Sequence, residues 1–131
     1  MNFNLPSDTG GIPLTGMELR RDNGLGSNLD TLVFSGDFVL SSYVEGSLTK
    51  GRVYLYQIRV KNANEWSEWS DPTSMLPATV PASPPAPTLL SVSSSSLSLK
   101  LEVAEDNGGA SITAYHLYKD NGSINSEFTL F

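Results

Sequence analysis

The feature that most constrains the fold of this 131-residue chain is an internal repeat. Residues 8–24 read DTGGIPLTGMELRRDNG and residues 106–122 read DNGGASITAYHLYKDNG, with eight identities at seventeen positions in one register. The two segments lie 98 residues apart, a spacing of domain size that is too long for the repeats of a solenoid. We therefore expect consecutive copies of one domain, with one full period and about a third of the next in this chain.

Within each period the alternation of side chains indicates β strands with one buried face. Residues 97–103 alternate Leu and Val with polar residues, and a second strand has Tyr54, Tyr56, Ile58 and Val60 at every second position. A third strand is predicted over about 112–119 and over the matching residues of the first copy. Asp-Asn-Gly follows each of these two strands, and Asn-Gly tolerates the positive φ of a tight hairpin turn. Such short, closely spaced strands predict an all-β sandwich.

Composition disfavours several classes of function. The chain has no Cys, a single His and a formal net charge of −6. Disulfides, thiol nucleophiles, Cys-ligated zinc, His-based metal sites and a Ser–His–Asp relay are thereby excluded or disfavoured. An acidic chain with few cations is not expected to bind nucleic acid, and no apolar run is long enough to span a membrane. We expect no enzyme, no cofactor and no metal site.

A proline-rich segment separates two parts of the chain. Residues 77–88 read PATVPASPPAPT, and proline removes backbone donors and favours extended conformations. We expect a first module over residues 1–76, a stiff linker over residues 77–85, and the beginning of a second module over residues 86–131.

The strand that begins at Tyr54 resembles strand F of fibronectin type III modules. The pattern Tyr54-x-Tyr-x-Ile-x-Val-x-Asn62 carries the resemblance, together with Leu48 before a short turn. It implies an immunoglobulin-like β-sandwich with a tyrosine corner, in which the Tyr54 hydroxyl bonds to backbone upstream. The tryptophan of the family's strand B is replaced by Phe3 in one copy and Leu101 in the other, which predicts a differently packed core.

The resemblance also implies that the chain is cut within a module at both ends. Residues 1–6 look like the end of strand B, and strands C, C′, E, F and G follow through about residue 76. After the linker come strand A over about 86–93, strand B over about 97–103, strand C over about 112–119 and the start of C′. Neither part is expected to bury both faces of a sandwich alone.

Three arrangements explain such a cut. The chain is a segment of a long tandem array, or strands A and B of one chain complete the first module of the next. The second arrangement gives a head-to-tail polymer with a heterologous interface that propagates into a filament. In the third, the C-terminal strands fold back onto the N-terminal half as a circular permutation.

The pentapeptide Trp66-Ser-Glu-Trp69-Ser is similar to the WSxWS box of type I cytokine receptors. Arg59 and Lys61 share the outward face of the preceding strand. We expect the two indoles to interleave with these cations as a ladder, each contact contributing about 0.5–2 kcal/mol.

Two positions match acceptor patterns for covalent glycans. Asn121-Gly-Ser is an N-glycosylation sequon in the predicted turn between strands C and C′. Trp66 fits the Trp-x-x-Trp pattern for C-mannosylation, which requires a secretory route. Both positions also have purely structural interpretations, as a hairpin turn and as a ladder residue.

We therefore expect a non-enzymatic structural or adhesive module of a tandem-repeat protein, extracellular or at the cell surface. Its partners would be proteins, through self-association or neighbouring modules, with filament formation by strand complementation as one form. Two alternatives stay open: a ligand-binding ectodomain fragment of a cytokine-receptor-like protein, and a carbohydrate-binding accessory module of a secreted enzyme.

Overall fold

A computed structural model of the protein describes residue 6 and residues 8–37 and 42–131. The described residues contain antiparallel β sheets and no helix, an all-β architecture consistent with a β-sandwich. The chain divides into two units, Met1–Thr79 and Val80–Phe131, and the division falls within the predicted linker. The predicted end of strand B at residues 1–6, with Phe3, lies outside the described residues except for Pro6.

Unit 1 contains one four-stranded antiparallel sheet. Its strands are β1 (Leu14–Arg21), β2 (Thr31–Asp37), β3 (Tyr54–Asn62) and β4 (Thr73–Met75). Their order across the sheet is β2-β1-β3-β4, so β1 and β3 are the central strands.

The core of unit 1 lies on one face of the central strands. Leu19 stands opposite Ile58 in the β1–β3 register, and Tyr54 and Tyr56 are buried beside Leu19. Met17 is fully buried on the same face of β1. The period-2 alternation explains this arrangement, because every second side chain of a strand points to the same face.

Residues 43–53 pack over this core without forming a strand. Strand E was predicted between C′ and F without bounds, and residues 38–41, which also lie there, are outside the described residues, so it stays a prediction. Tyr43 and Leu48 pack against the core, and the Tyr43 hydroxyl donates a hydrogen bond of 2.9 Å to the Val33 carbonyl. Side-chain anchors therefore hold this cover in place of a strand ladder.

The Asp-Asn-Gly sequence after β1 does not close a tight hairpin, because β2 begins only at Thr31. Asp22 is instead buried, and it bonds twice to Leu55 on β3. Its carboxylate accepts the Leu55 N–H at 2.9 Å, and its own N–H donates to the Leu55 carbonyl at 3.1 Å. The backbone bond extends the β1–β3 pairing by one position. The buried carboxylate is tolerated because it accepts a hydrogen bond from the Leu55 N–H.

Unit 2 contains two separate two-stranded antiparallel sheets. The first joins β5 (Thr88–Val92) to β6 (Leu97–Lys100), and the second joins β7 (Tyr118–Lys119) to β8 (Thr129–Leu130). A serine turn links β5 to β6, with the Ser93 N–H donating to the Ser96 carbonyl at 2.8 Å.

Two predicted strands of unit 2 are much shorter than expected. The strand predicted over 97–103 ends at Lys100, and of the strand predicted over 112–119 only Tyr118–Lys119 is present. Its equivalent in unit 1 is β1, which pairs with β2 on one edge and β3 on the other. In the described residues, β7 pairs with β8 alone. An isolated two-stranded ribbon is marginally stable in water, so alternation alone does not produce a long strand.

The repeat is nevertheless visible in the geometry of both copies. Gly10 donates its N–H to Asp8 Oδ1 at 2.8 Å, and Gly108 donates to Asp106 at the same distance. The glycines at equivalent positions have positive φ in both copies: Gly10, Gly11 and Gly24 in the first, and Gly108, Gly109 and Gly122 in the second.

Strand pairing also repeats with the 98-residue offset. The second copy pairs Tyr118 with Leu130 and Lys119 with Thr129. The residues 98 positions earlier pair in the same way, Arg20 with Leu32 and Arg21 with Thr31. The β7–β8 ribbon therefore reproduces one end of the β1–β2 pair in identical register.

Candidate functional site

The two tryptophans and three cations form a stacked ladder on the outward face of unit 1. Arg59 lies over both rings, with its Cζ 4.7 Å from the Trp66 centroid and 4.5 Å from the Trp69 centroid. Lys61 Nζ lies 5.6 Å from the Trp66 ring, and Arg20 Cζ lies 3.9 Å from the Trp69 ring. The order along the ladder is thus Lys61, Trp66, Arg59, Trp69 and Arg20.

The strand register accounts for the spacing of the cations. Arg59 and Lys61 are two residues apart on β3, so they point to the same face. Arg20 extends the row from β1, because it stands opposite Gln57 on β3. All four predicted ladder residues come together, and Arg20, which the sequence pattern did not indicate, is the fifth.

The serines of the pentapeptide fix the tryptophans to the edge of β3. Ser67 donates its N–H to the Val60 carbonyl at 2.8 Å, and its Oγ accepts the Val60 N–H at 3.1 Å. Ser70 repeats both bonds with Ile58, at 2.9 and 3.1 Å. Each serine hydroxyl replaces a strand carbonyl as acceptor, which explains why serine follows each tryptophan.

Anionic and amide side chains on the same face orient the guanidinium groups. Glu18 Oε2 accepts hydrogen bonds from Arg59 at 2.6 and 2.8 Å. Gln57 Oε1 accepts bonds of 2.8 and 3.1 Å from Arg20, and its Nε2 donates to the Ser70 carbonyl at 2.6 Å. A partly exposed ion pair such as Arg59–Glu18 contributes at most about 1 kcal/mol, so the main effect of these contacts is to hold the guanidinium groups over the rings.

Tyr54 lies at the position that the resemblance assigns to a tyrosine corner. Its hydroxyl accepts the Thr49 N–H at 3.0 Å, and Leu48 packs against the same core cluster. This hydrogen bond lowers the pKa of the Tyr54 phenol. The contact closes the turn that leads into β3.

A second polar cluster, which the sequence pattern did not indicate, lies on the inward face. Glu45 accepts a hydrogen bond of 2.7 Å from Arg21 Nε and one of 2.6 Å from the Tyr56 hydroxyl. Burial raises the pKa of the Tyr56 phenol, and the bond to Glu45 raises it further, while the same carboxylate raises the pKa of Arg21. The cluster ties the segment over the core to both central strands.

The two predicted glycan acceptors occupy different environments. Asn121 is exposed, and its Oδ1 accepts the Ser123 N–H at 2.9 Å in the segment between β7 and β8. Trp66 is half-buried and lines a groove of about 320 Å³ together with Asp8, Asn64 and Glu65.

Neither a family model nor a curated protein matches this chain. In the part of the chain that the structure describes, no helix is long and apolar enough to cross a membrane. The same residues contain no group of three or more His, Asp or Glu side chains arranged to hold a metal ion. The chemistry of the ladder is cation–π stacking and hydrogen bonding.

Proposed function

We propose that the chain is a non-enzymatic module of a tandem-repeat protein, and that it spaces and displays neighbouring domains outside the cell or at its surface. The observation that carries the proposal is the agreement between the two copies. They share the Asp–Gly turn bond, the positive φ of their glycines and the pairing register of β1–β2 and β7–β8 at one offset. Repetition of one domain-sized unit is typical of proteins that extend and present binding surfaces.

We further propose that unit 1 is a fibronectin type III-like module. The order β2-β1-β3-β4 corresponds to C′-C-F-G, the order of strands in one sheet of immunoglobulin-like sandwiches. The bond between Tyr54 and Thr49 supports the same assignment, because it matches the tyrosine corner.

Force spectroscopy on the intact chain, held by short tags at its two ends, tests the spacing function. A load-bearing unit 1 unfolds in one cooperative event that releases roughly 200 Å of chain for residues 14–75. Extension of these residues without a force peak would contradict a role as a mechanical spacer.

The ladder favours a second candidate, a ligand-binding ectodomain fragment of a cytokine-receptor-like protein. Such a fragment contacts a protein ligand through its loops and stays monomeric in light scattering at all concentrations. Long filaments in negative-stain images would contradict this candidate and favour the polymer. The carbohydrate-binding alternative requires a free planar aromatic surface, whereas both indoles are half-buried and stacked with cations.

Extracellular location has its own test through the sequon. Expression through a secretory route is expected to add mass at Asn121, and Asn121→Gln is expected to remove it. A mass increase that persists in this variant points to Trp66 or another acceptor. Secretion without any added mass would remove the glycoprotein part of the proposal.

A further inference from the structure

The second copy of the repeat has an open edge that the first copy does not have. In unit 1, β1 pairs with β2 on one edge and with β3 on the other. In unit 2, β7 pairs with β8 in the register of β1–β2, and the described residues supply no strand on the opposite edge. Unit 1 thus shows that β3 covers this edge in the first copy.

One side chain beside this edge, that of Tyr115, is exposed where its counterpart is buried, and Leu117 is only partly exposed. Met17 and Tyr115 occupy the same repeat position, and they are 0 % and 50 % exposed. Earlier in unit 2, Leu97 and Leu101 are also more than half exposed. An exposed apolar residue beside an unpaired edge is a feature of a strand-acceptor surface.

We propose that residues 112–119, which end in β7, bind a β strand with the sequence pattern of β3 on the side opposite β8, and that another copy of the 98-residue repeat supplies this strand. The inference rests on the proposed tandem-repeat function and names the partner of its second unit. The β1–β3 pairing predicts the register of the bound strand. Tyr115 stands opposite the position of Val60, Leu117 opposite that of Ile58, and Lys119 opposite that of Tyr56.

The chemistry of the bound strand follows from the first copy. Its Tyr, Tyr, Ile and Val positions form one apolar face that covers the exposed residues, and its backbone pairs with that of residues 112–119. The outward ion pair is not reproduced, because His116 occupies the position of Glu18, the partner of Arg59. Recognition therefore depends on backbone hydrogen bonds and on the apolar face.

The test is an NMR titration of the intact ¹⁵N-labelled chain with a synthetic peptide of residues 53–64. Binding is expected to shift the amide resonances of residues 112–119 and to slow their hydrogen exchange, while those of β1 stay unchanged. A control peptide with Ile58→Asp and Val60→Asp is expected to bind roughly tenfold more weakly, because two apolar cross-strand pairs are lost. In the chain itself, Leu117→Asp is expected to weaken binding of the unmodified peptide similarly.

Three results would overturn the proposal: no shift at millimolar peptide, equal binding of both peptides, or shifts confined to unit 1. These failures are separable from failure of the spacing function. If force spectroscopy still shows cooperative unfolding of unit 1, the module remains a spacer and only strand acceptance is lost. If unit 1 extends without a force peak while the peptide binds, strand acceptance remains and the spacing function is lost.

Discussion

The two units begin from closely similar sequence and reach different structures. Unit 1 has a buried cluster around Leu19, Tyr54 and Tyr56, whereas the large apolar side chains of unit 2 are mostly exposed. The turns of the two copies agree, because an Asx bond and a glycine with positive φ depend on neighbouring residues alone. The strands disagree, because the first copy pairs this segment with both β2 and β3, whereas in the described residues the second copy pairs it with β8 alone. Local sequence thus determines the turns. Pairing with β3 determines whether the repeat segment, which is β1 in the first copy and residues 112–119 in the second, forms a strand.

Truncation of the leucine that both copies share is expected to give the largest difference in unfolding free energy between the units. Leu19 is 1 % exposed, so Leu19→Ala should lower the free energy of unfolding of unit 1 by about 2–5 kcal/mol. Urea unfolding followed by tryptophan fluorescence measures this, because both tryptophans lie in unit 1. Leu117→Ala is the matched control, and it should leave the transition unchanged. Equal losses from both variants would show that the units fold as one.

The glycine after β1 should show the next largest effect. At Gly24, where φ is +72°, an added Cβ would lie 2.5 Å from Arg52 Cδ and 2.8 Å from the Tyr54 ring. Gly24→Ala should therefore cost about 2–3 kcal/mol in the same assay, from backbone strain and this overlap together. At Gly26 the φ is similar and no atom lies within 4 Å of the added Cβ, so Gly26→Ala should cost about 1 kcal/mol. Equal costs would mean that the contact with Tyr54 is unimportant.

Removal of the buried phenol should have an intermediate effect that depends on pH. Tyr56→Phe leaves Glu45 without one of its donors and should cost about 1–2 kcal/mol at neutral pH. Because the folded state raises the pKa of Tyr56, this phenol stabilises the fold fully below its unfolded pKa of about 10 and progressively less above it.

The stability of the unmodified chain should consequently fall more steeply above pH 10 than that of Tyr56→Phe. Urea midpoints measured between neutral and strongly alkaline pH give the two slopes. Tyr118→Phe, at a half-exposed residue of unit 2, is the control for removal of a phenol hydroxyl outside unit 1. Parallel curves for the unmodified chain and Tyr56→Phe would contradict the contribution of this phenol.

The smallest effect is expected for the end of the ladder. A double-mutant cycle of Arg20→Ala and Trp69→Leu should give a coupling of about 0.5–1 kcal/mol, as for a half-exposed cation–π contact. Trp66 remains as the fluorescent probe in all four proteins. A coupling of zero would mean that Arg20 lies beside the ring without stabilising it.

The sequence predicted the elements whose signal is local. The alternation from Tyr54 onward predicted β3, and the Trp-Ser spacing beside Arg59 and Lys61 predicted that these residues come together. It did not predict the roles of Asp22 and Glu45, because their partners lie more than ten residues away and depend on the pairing of strands. Arg20 was missed for the same reason, since only the β1–β3 register places it over Trp69.

Residues 112–117 show the converse error. Their alternation is that of a strand, but no sequence pattern within the segment states whether a partner strand is present. The first copy has β3 as this partner, and the described residues give the second copy none. The prediction from alternation was wrong in the second copy for this reason.

Hydrogen exchange of the intact chain, resolved by residue with NMR, tests whether the same repeat segment becomes a strand only where a β3 strand pairs with it. We expect slow exchange for the β1 amides that pair with β3, and exchange near the rate of an unstructured peptide for residues 112–117. Equal protection in both copies would contradict this expectation, because the second copy would then form its strand without that partner.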